Sequence, residues 1–130
     1  MIADTGTTKV IDTSAFVAIT FDEPDAGLVV ARLGDAELVA PRLFEFELAN
    51  VCLRKMRQYP TRRETLLVAY RGRHRLPVEA MDVDHLAVLA LAERSGLSSY
   101  DASYLWLAQS IGAELVTLDR KLDAAARRMQ

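Results

Sequence analysis

Four acidic residues stand at positions from which they could share one site. Asp12 and Asp119 each follow a short apolar run, Asp101 lies at the start of a helical pattern, and Glu47 lies in the second turn of another. Carboxylates gathered without histidine or cysteine suit a hard divalent cation such as Mg²⁺, because such ions prefer oxygen ligands. Ions held in this way can activate a water and steady the leaving oxygen during phosphodiester hydrolysis.

Three of these acids have a plain structural alternative. An Asp between a strand and a helix commonly caps the helix N-terminus, which would account for Asp12 and Asp119. Asp101 lies three residues after Ser98, close to a capping-box pattern, and a negative charge also suits the first turn of a helix. Taken singly, each of the three is explained as well by capping as by chemistry.

Glu47 is harder to explain as a structural residue. It is predicted on the apolar stripe of a helix, where a charge is unfavourable unless it is paired. The stripe consists of residues at helical spacing, Leu43, Phe46, Asn50 and Leu53. Glu45 lies off this stripe and is predicted to be solvated.

The hydroxyl residues Thr13, Ser14 and Thr117 flank Asp12 and Asp119 in the sequence. They could orient a water or a phosphate, or serve only in turns and caps. No other chemistry is comparably supported, since the chain has no glycine-rich phosphate loop and no nucleophile elbow, and its single cysteine cannot pair for zinc.

The elements that must position these residues alternate between strand and helix. Four strands are predicted, at residues 9–12, 37–40, 76–81 and 114–118. Seven helices are predicted, at residues 14–20, 24–33, 42–58, 61–73, 83–94, 98–111 and 120–128. This alternation favours an α/β fold with a mostly parallel sheet flanked by helices. Because parallel strands end on one side of a sheet, Asp12 and Asp119 would face one crevice if their strands are neighbours.

Punctuation residues set the predicted helix ends. Pro24 is expected in the first turn of the second helix, with Asp22 or Glu23 as its cap. Gly112 is expected to end the sixth helix. Residues 1–8 carry no pattern and are predicted to be a loose terminus.

Length and composition indicate one globular domain over residues 1–130. Of these residues 51% are hydrophobic and 26% are charged, which argues against disorder. Cys52 lies in an apolar helical pattern and is predicted to be buried. The chain has no signal pattern and no apolar run of membrane-spanning length, so we expect a cytoplasmic protein with no membrane contact.

Charge is distributed unevenly along the chain. The net charge is −2, yet eight of the sixteen basic residues fall between positions 54 and 75, in a predicted helical hairpin at 42–75. This basic hairpin could hold nucleic-acid phosphates, with Tyr59 and Tyr70 available to stack on bases. The residues predicted to contact RNA are Arg54, Arg57, Arg62, Arg63, Arg71 and Arg73. The alternatives are a solvated helix face, or an apolar face that dimerises or binds a partner.

Four motifs together resemble those of a known family. They are VIDTSAF (10–16), FELAN (46–50), SSYDASYLWLA (98–108) and LVTLD (115–119). In order and spacing they are similar to the motifs of PIN-domain ribonucleases, and most similar to VapC-like toxins of bacterial toxin–antitoxin pairs.

The resemblance implies a PIN-like α/β/α sandwich with a four- or five-stranded sheet. It carries the catalytic and metal-binding roles onto Asp12, Glu47, Asp101 and Asp119, with Thr13, Ser14 and Thr117 as accessory polar residues. It further implies cleavage of RNA with Mg²⁺ or Mn²⁺, a homodimer, and a cognate VapB-like antitoxin whose tail covers the active-site groove. Relatives often add a final strand after the position of Asp119, so a fifth strand is left open here.

Two rival functions come from other classes. A catalytically silent PIN-like module could bind RNA or a protein without cutting. A receiver-like phosphoacceptor domain also places Asp at strand ends, but it needs an acid pair after the first strand. Here Thr13 and Ser14 follow Asp12, which disfavours that second rival.

Overall fold

The computed structural model describes residues 7–129, whose four strands form one all-parallel sheet. The strands are β1 (Thr8–Ile11), β2 (Glu37–Pro41), β3 (Glu79–Met81) and β4 (Glu114–Val116). Their order across the sheet is β3-β2-β1-β4, and all three pairings are parallel. The predicted α/β fold with a parallel sheet flanked by helices is therefore confirmed.

Seven α-helices connect and follow the strands in the described part of the chain. They are α1 (Thr13–Thr20), α2 (Ala26–Leu33), α3 (Leu43–Gln58), α4 (Arg63–Arg71), α5 (His85–Ser95), α6 (Ser99–Ile111) and α7 (Arg120–Arg128). Short 3-10 turns at Pro60–Arg62 and Gly72–Arg75 flank α4. Between residues 7 and 129, no helix is both long and apolar enough to cross a membrane. Of the terminus predicted to be loose, residues 1–6 lie outside the described residues, and Thr8 already belongs to β1.

The strand order reverses between β1 and β4. The chain runs outward from β1 to β2 and β3, then returns to place β4 on the other side of β1. Val10 lies opposite Leu115, and the Asp12 amide donates to the Val116 carbonyl at 3.0 Å. In open α/β sheets ligands bind outside the carboxyl ends of the strands at this reversal point. The first and last strands are neighbours, so the condition for Asp12 and Asp119 to face one crevice is met.

Burial explains why these strands read as apolar runs rather than alternating ones. Val10, Ile11 and Val116 are fully buried, as expected for strands covered on both faces. On one side Phe16 of α1 meets Phe44 of α3 edge to face, with ring centroids 5.0 Å apart and planes at 86°. Such aromatic pairs stabilise beyond their buried area by about 1 kcal/mol, and this pair fixes how α3 turns toward the core.

The buried face of α3 differs from the predicted stripe. Phe44, Leu48 and Cys52 are buried, whereas Phe46 is 78% exposed and Leu53 is 39% exposed. Both series recur at helical spacing, so periodicity alone could not choose between them. The stripe prediction was wrong because the position of Phe44 against α1 decides the rotation of the helix, and that contact joins distant parts of the sequence.

The start of α2 also differs from the prediction. Asp25 holds its N-cap position, so Pro24 precedes the helix, and neither Asp22 nor Glu23 caps it. Asp22 instead adopts φ 51°, and the Glu23 amide donates to the Ala18 carbonyl at 2.8 Å. Both residues therefore belong to the turn after α1. Asp22 can adopt this conformation because Asp is one of the few residues that tolerate a positive φ.

The free edge of β4 is covered by a side chain. In a parallel pair, alternate residues direct their backbone groups to opposite sides, so Leu115 and Thr117 face away from β1. The guanidinium of Arg32 on α2 donates to the Leu115 carbonyl at 3.4 Å and to the Thr117 carbonyl at 3.5 Å. Within residues 7–129 the sheet has four strands, and Arg32 occupies the position where a fifth would pair.

Candidate active site

Asp12 lies at the junction of β1 and α1 and is only 6% exposed. It holds the N-cap position of α1, but its side chain makes no capping hydrogen bond. Instead its Oδ2 accepts from Ser14 Oγ at 2.7 Å and from Thr117 Oγ1 at 2.8 Å. The capping alternative is therefore wrong for the Asp12 side chain, which is oriented by two hydroxyls toward the end of β4.

The two hydroxyls around Asp12 also order the turn that follows β4. Ser14 Oγ accepts from the Leu118 amide at 2.9 Å, and Thr117 Oγ1 accepts from the Asp119 amide at 3.0 Å. Each hydroxyl can donate one proton and still accept, which is how both serve Asp12 and the turn together. The two hydroxyls therefore take part in the structure of the turn, and the same hydrogen bonds position Asp119 beside Asp12.

Asp119 has a structural task as well as a place in the crevice. It is the N-cap of α7, and its Oδ1 accepts from the Leu122 amide at 2.9 Å. The capping alternative holds for this residue. One carboxylate oxygen can cap the helix while the other remains for a ligand, so capping does not exclude metal binding.

Glu47 on α3 is half-buried and held by hydroxyls from two other helices. Thr13 Oγ1 lies 2.9 Å and Tyr104 Oη lies 2.6 Å from Glu47 Oε1, and the two hydroxyl oxygens are 2.8 Å apart. Burial raises the pKa of Glu47, the hydrogen bonds from Tyr104 and Thr13 lower it, and the Asp12 charge raises it, with a net upward shift. Burial and the Glu47 charge also raise the pKa of Tyr104 above its usual value, which keeps its hydroxyl a donor.

Asp101 lies in the first turn of α6, where Ser98 Oγ accepts from its amide at 3.1 Å. Its pKa is raised to about 6, first by burial and then by the charges of three other acids, Asp119, Asp12 and Glu47. Lys121 opposes this shift. All four predicted acids line one cleft, where each negative charge disfavours ionisation of the others.

The acids line an open cleft of about 730 Å³. Its other wall is one face of α3, and the polar and charged residues there are Asn50, Arg54, Lys55 and Gln58. Lys55 Nζ pairs with Glu23 Oε2 at 2.8 Å, and Glu23 also lines the cleft. A polyanion would therefore meet an acidic centre beside a partly cationic helix.

The predicted arginine set does not form one surface. Of its six members, Arg54 lines the cleft. Arg73 lies near Glu45 at 3.6 Å and stacks 4.2 Å over the Tyr70 ring, so this ring is already covered. Arg63 pairs with Glu64 at 2.7 Å. Arg71 and Arg73 line grooves elsewhere, and Arg57 and Arg62 are exposed outside the cleft lining.

Sequence reasoning missed Tyr104, Lys55 and Glu23. A signal for Tyr104 was present, because Asp101 and Tyr104 are three apart and share one face of α6. The pairing of Lys55 with Glu23 had no such signal, since it joins α3 to the turn at Asp22 across 32 positions of sequence.

The donor set fits a hard divalent cation in its chemistry. All four groups are carboxylates, and a cation would relieve the repulsion that raises the pKa of Asp101. Within residues 7–129, however, no three Asp, Glu, His or Cys side chains are already grouped closely enough to hold an ion between them. Mg²⁺ is commonly bound by one or two carboxylates and keeps several waters, so the cleft acids can serve it without a ready-made group of three.

Fold and cleft together define an α/β protein with an acidic site at the strand-order reversal. The family model for the PIN domain matches residues 9–128, and the chain belongs to this family. PIN domains are generally metal-dependent nucleases. A similar solved structure is that of PAE2754 from Pyrobaculum aerophilum, with 25% sequence identity and a TM-score of 0.65 over 93% of this chain and 87% of that one. A comparison with curated proteins finds no match.

Proposed function

We propose that the protein is a metal-dependent endoribonuclease of the VapC type, acting in the cytoplasm. The observation that carries the proposal is the convergence of four acids on one cleft, expressed in the pKa of Asp101 at about 6. An acid cluster of this kind is unfavourable without a counter-charge, and a divalent cation would supply one. Membership of a family of nucleases supports the same activity.

Each acid has a distinct part in this proposal. Asp12, Asp101 and Asp119 provide carboxylate oxygens at the strand-reversal crevice, and Glu47 adds one from α3. A Mg²⁺ or Mn²⁺ ion held by these carboxylates would supply charge stabilisation and activate a water for hydrolysis. The hydroxyls of Ser14 and Thr117 keep Asp12 oriented, and Thr13 does the same for Glu47.

The test is cleavage of a labelled RNA pool with Mg²⁺, with Mn²⁺ and with EDTA. We expect the wild type to cut only with metal, and Asp12→Asn and Asp101→Asn to lose at least about 100-fold in rate, as when a positioned charged group is removed from a hydrolytic site. Asp35→Asn is the matched control, because Asp35 is exposed and lies outside the cleft lining. Equal rates in wild type and the two cleft variants would contradict the assignment. RNA that is bound but left intact with metal would favour the silent binding module.

The finer proposal is that this nuclease is a toxin neutralised by a VapB-like antitoxin. Its support is the motif resemblance, together with a second groove of about 440 Å³ whose walls carry the exposed apolar residues Val30 and Val68. Induced expression should slow growth of a bacterial host, and Asp12→Asn should not. A small DNA-binding protein encoded directly upstream should restore growth when co-expressed.

The homodimer is part of the same proposal. Leu86 and Leu89 on α5 are 78% and 61% exposed and lie on one helix face, which suits contact with a second copy. Light scattering on purified protein should give twice the chain mass of 14.4 kDa. A monomer at all accessible concentrations would contradict this proposal and leave the nuclease assignment intact.

A further inference from the structure

One face of α3 runs from the acidic cluster along the whole cleft. Glu47, Asn50, Arg54 and Gln58 follow one another at helical spacing, and all four line the cleft. With a rise of about 1.5 Å per residue, Arg54 lies about 10 Å and Gln58 about 16 Å along the helix axis from Glu47. A group bound at Arg54 is therefore distinct from one bound at the acids.

Charge within the cleft singles out Arg54. The acids repel a polyanion, so cations beside them must hold it. Lys55 Nζ pairs with Glu23 Oε2 at 2.8 Å, and this carboxylate neutralises the charge of Lys55. Lys55 Nζ also lies 5.3 Å from the centroid of the Phe21 ring. Arg54 is exposed, and among residues 7–129 it makes no ion pair with an acidic side chain. It is the cation of the cleft whose charge is not already balanced by an acid.

Amide side chains flank Arg54 along the same face. Asn50 lies one turn before it and Gln58 one turn after it, and both line the cleft. Each amide offers a donor and an acceptor without charge. Such groups complement the Watson–Crick and Hoogsteen edges of bases, which are free in an unpaired strand, whereas in an A-form duplex they are paired or lie in a deep, narrow groove.

We propose that this face of α3 is a subsite for the strand next to the bond that is cut. Arg54 holds a flanking phosphate with its planar fork, and Asn50 and Gln58 contact the adjoining bases. The inference rests on the proposed function, because the acidic cluster marks where the scissile phosphate lies. Of the six arginines predicted to contact RNA, Arg54 is thus the one that binds the substrate.

The experiment measures binding separately from cleavage. A fluorescein-labelled single-stranded RNA of about 12 nucleotides, within the usual span of single-strand sites, is titrated in EDTA at several salt concentrations. We expect Arg54→Ala to weaken binding roughly 5- to 10-fold at low salt and to reduce the slope of log Kd against log salt by about 0.7. Arg54→Lys should keep the slope, because one positive charge remains. Asn50→Ala and Gln58→Ala should weaken binding without changing the slope.

The matched control is Arg57→Ala, which removes an exposed arginine of the same helix outside the cleft lining. An Arg57→Ala effect as large as that of Arg54→Ala would overturn the subsite in favour of a diffuse basic surface. An unchanged slope for Arg54→Ala, or tighter binding to duplex than to single strand, would also overturn it. If wild type cuts RNA while Arg54→Ala behaves as wild type, this inference fails and the nuclease assignment stands. If wild type never cuts but Arg54→Ala loses binding with the reduced slope, the nuclease assignment fails, and what stands is single-stranded RNA binding at Arg54.

Discussion

Tyr104 Oη lies 2.6 Å from Glu47 Oε1, and this contact links the helix that carries Asp101 to the helix that carries Glu47. Tyr104 is fully buried, so its hydroxyl is shielded from solvent and forms its hydrogen bonds with protein groups. Thr13 completes the group from a third helix. Two cleft acids from distant parts of the chain are thereby held in register by one buried phenol.

We expect Tyr104→Phe to act on Glu47 rather than on the fold alone. Loss of a buried hydrogen bond to a charged acceptor lowers the free energy of unfolding by about 2 kcal/mol. The Tyr104 hydrogen bond lowers the pKa of Glu47, so its removal raises that pKa further. In the proposed nuclease Glu47 would bind a cation in its ionised form, so the acid limb of the activity–pH profile should move to higher pH.

The control for this prediction is Tyr100→Phe, which removes a hydroxyl from a tyrosine of the same helix that is 65% exposed. It should change neither thermal stability nor the pH profile. An unshifted acid limb in Tyr104→Phe, with lowered stability alone, would show that Tyr104 supports packing and does not position Glu47.

A second prediction concerns the stability cost of the acid cluster. Burial and neighbouring charges raise the pKa of Asp101 to about 6 in the folded protein, against an ordinary value of 3.8. The ionised carboxylate therefore destabilises the folded state at pH 7. A full conversion of the shift would correspond to about 3 kcal/mol. Since the carboxyl is partly open to solvent, we expect Asp101→Asn to stabilise the metal-free protein by about 1 kcal/mol, or about 4 °C in Tm.

The stability gained by Asp101→Asn should depend on pH. Above pH 6 the wild type bears the full penalty, and as pH falls through 6 the folded Asp101 takes up a proton and the penalty fades, until it is absent below 3.8. The advantage of Asp101→Asn should therefore be complete at pH 7.5 and nearly gone at pH 4. Asp35→Asn, at an exposed acid, should track the wild type throughout. A gain in Tm that is the same at both pH values would contradict the repulsion argument.

The sequence predicted the grouping of the four acids in one cleft better than it predicted the contacts that hold them there. Asp12 and Asp119 could be placed together because strand ends in a parallel sheet follow a rule of topology. The apolar stripe that singles out Glu47 is exposed at Phe46, and Glu47 faces the cleft because it flanks the buried face of α3 at Phe44. Side-chain partners that join separate layers, such as Tyr104 with Glu47, leave no periodic signal. Such contacts between layers can be identified only from the structure.

A third prediction follows from the ion pair in the cleft. Glu23 neutralises Lys55, so Glu23→Gln should release a cation beside Arg54. We expect single-stranded RNA to bind about 3-fold tighter at low salt, with the slope against log salt steeper by about 0.7. Glu64→Gln is the control, because it breaks an exposed pair with Arg63 for the same change in net charge. Similar gains from both variants would mean that net charge, and not the cleft, sets the affinity.

The last prediction concerns the edge of the sheet. Arg32 bonds the outward-facing carbonyls of Leu115 and Thr117 and also pairs with Glu114 at 3.2 Å. An uncovered strand edge offers its backbone groups to another chain. We therefore expect Arg32→Ala to lower the free energy of unfolding by about 1 kcal/mol and to increase association as concentration rises, measured by thermal unfolding and light scattering.

Two further variants separate edge protection from loss of charge. Arg32→Lys keeps a positive charge near Glu114 but loses the planar fork that reaches two carbonyls at once, so it should fall between wild type and Arg32→Ala. Arg127→Ala removes an exposed arginine that pairs with Asp123 within α7, and it should change neither measurement appreciably. If Arg32→Ala loses stability without associating, Arg32 stabilises the packing of α2 against β4 and does not prevent association at the free edge of β4. Association that rises equally in Arg127→Ala would trace the effect to surface charge.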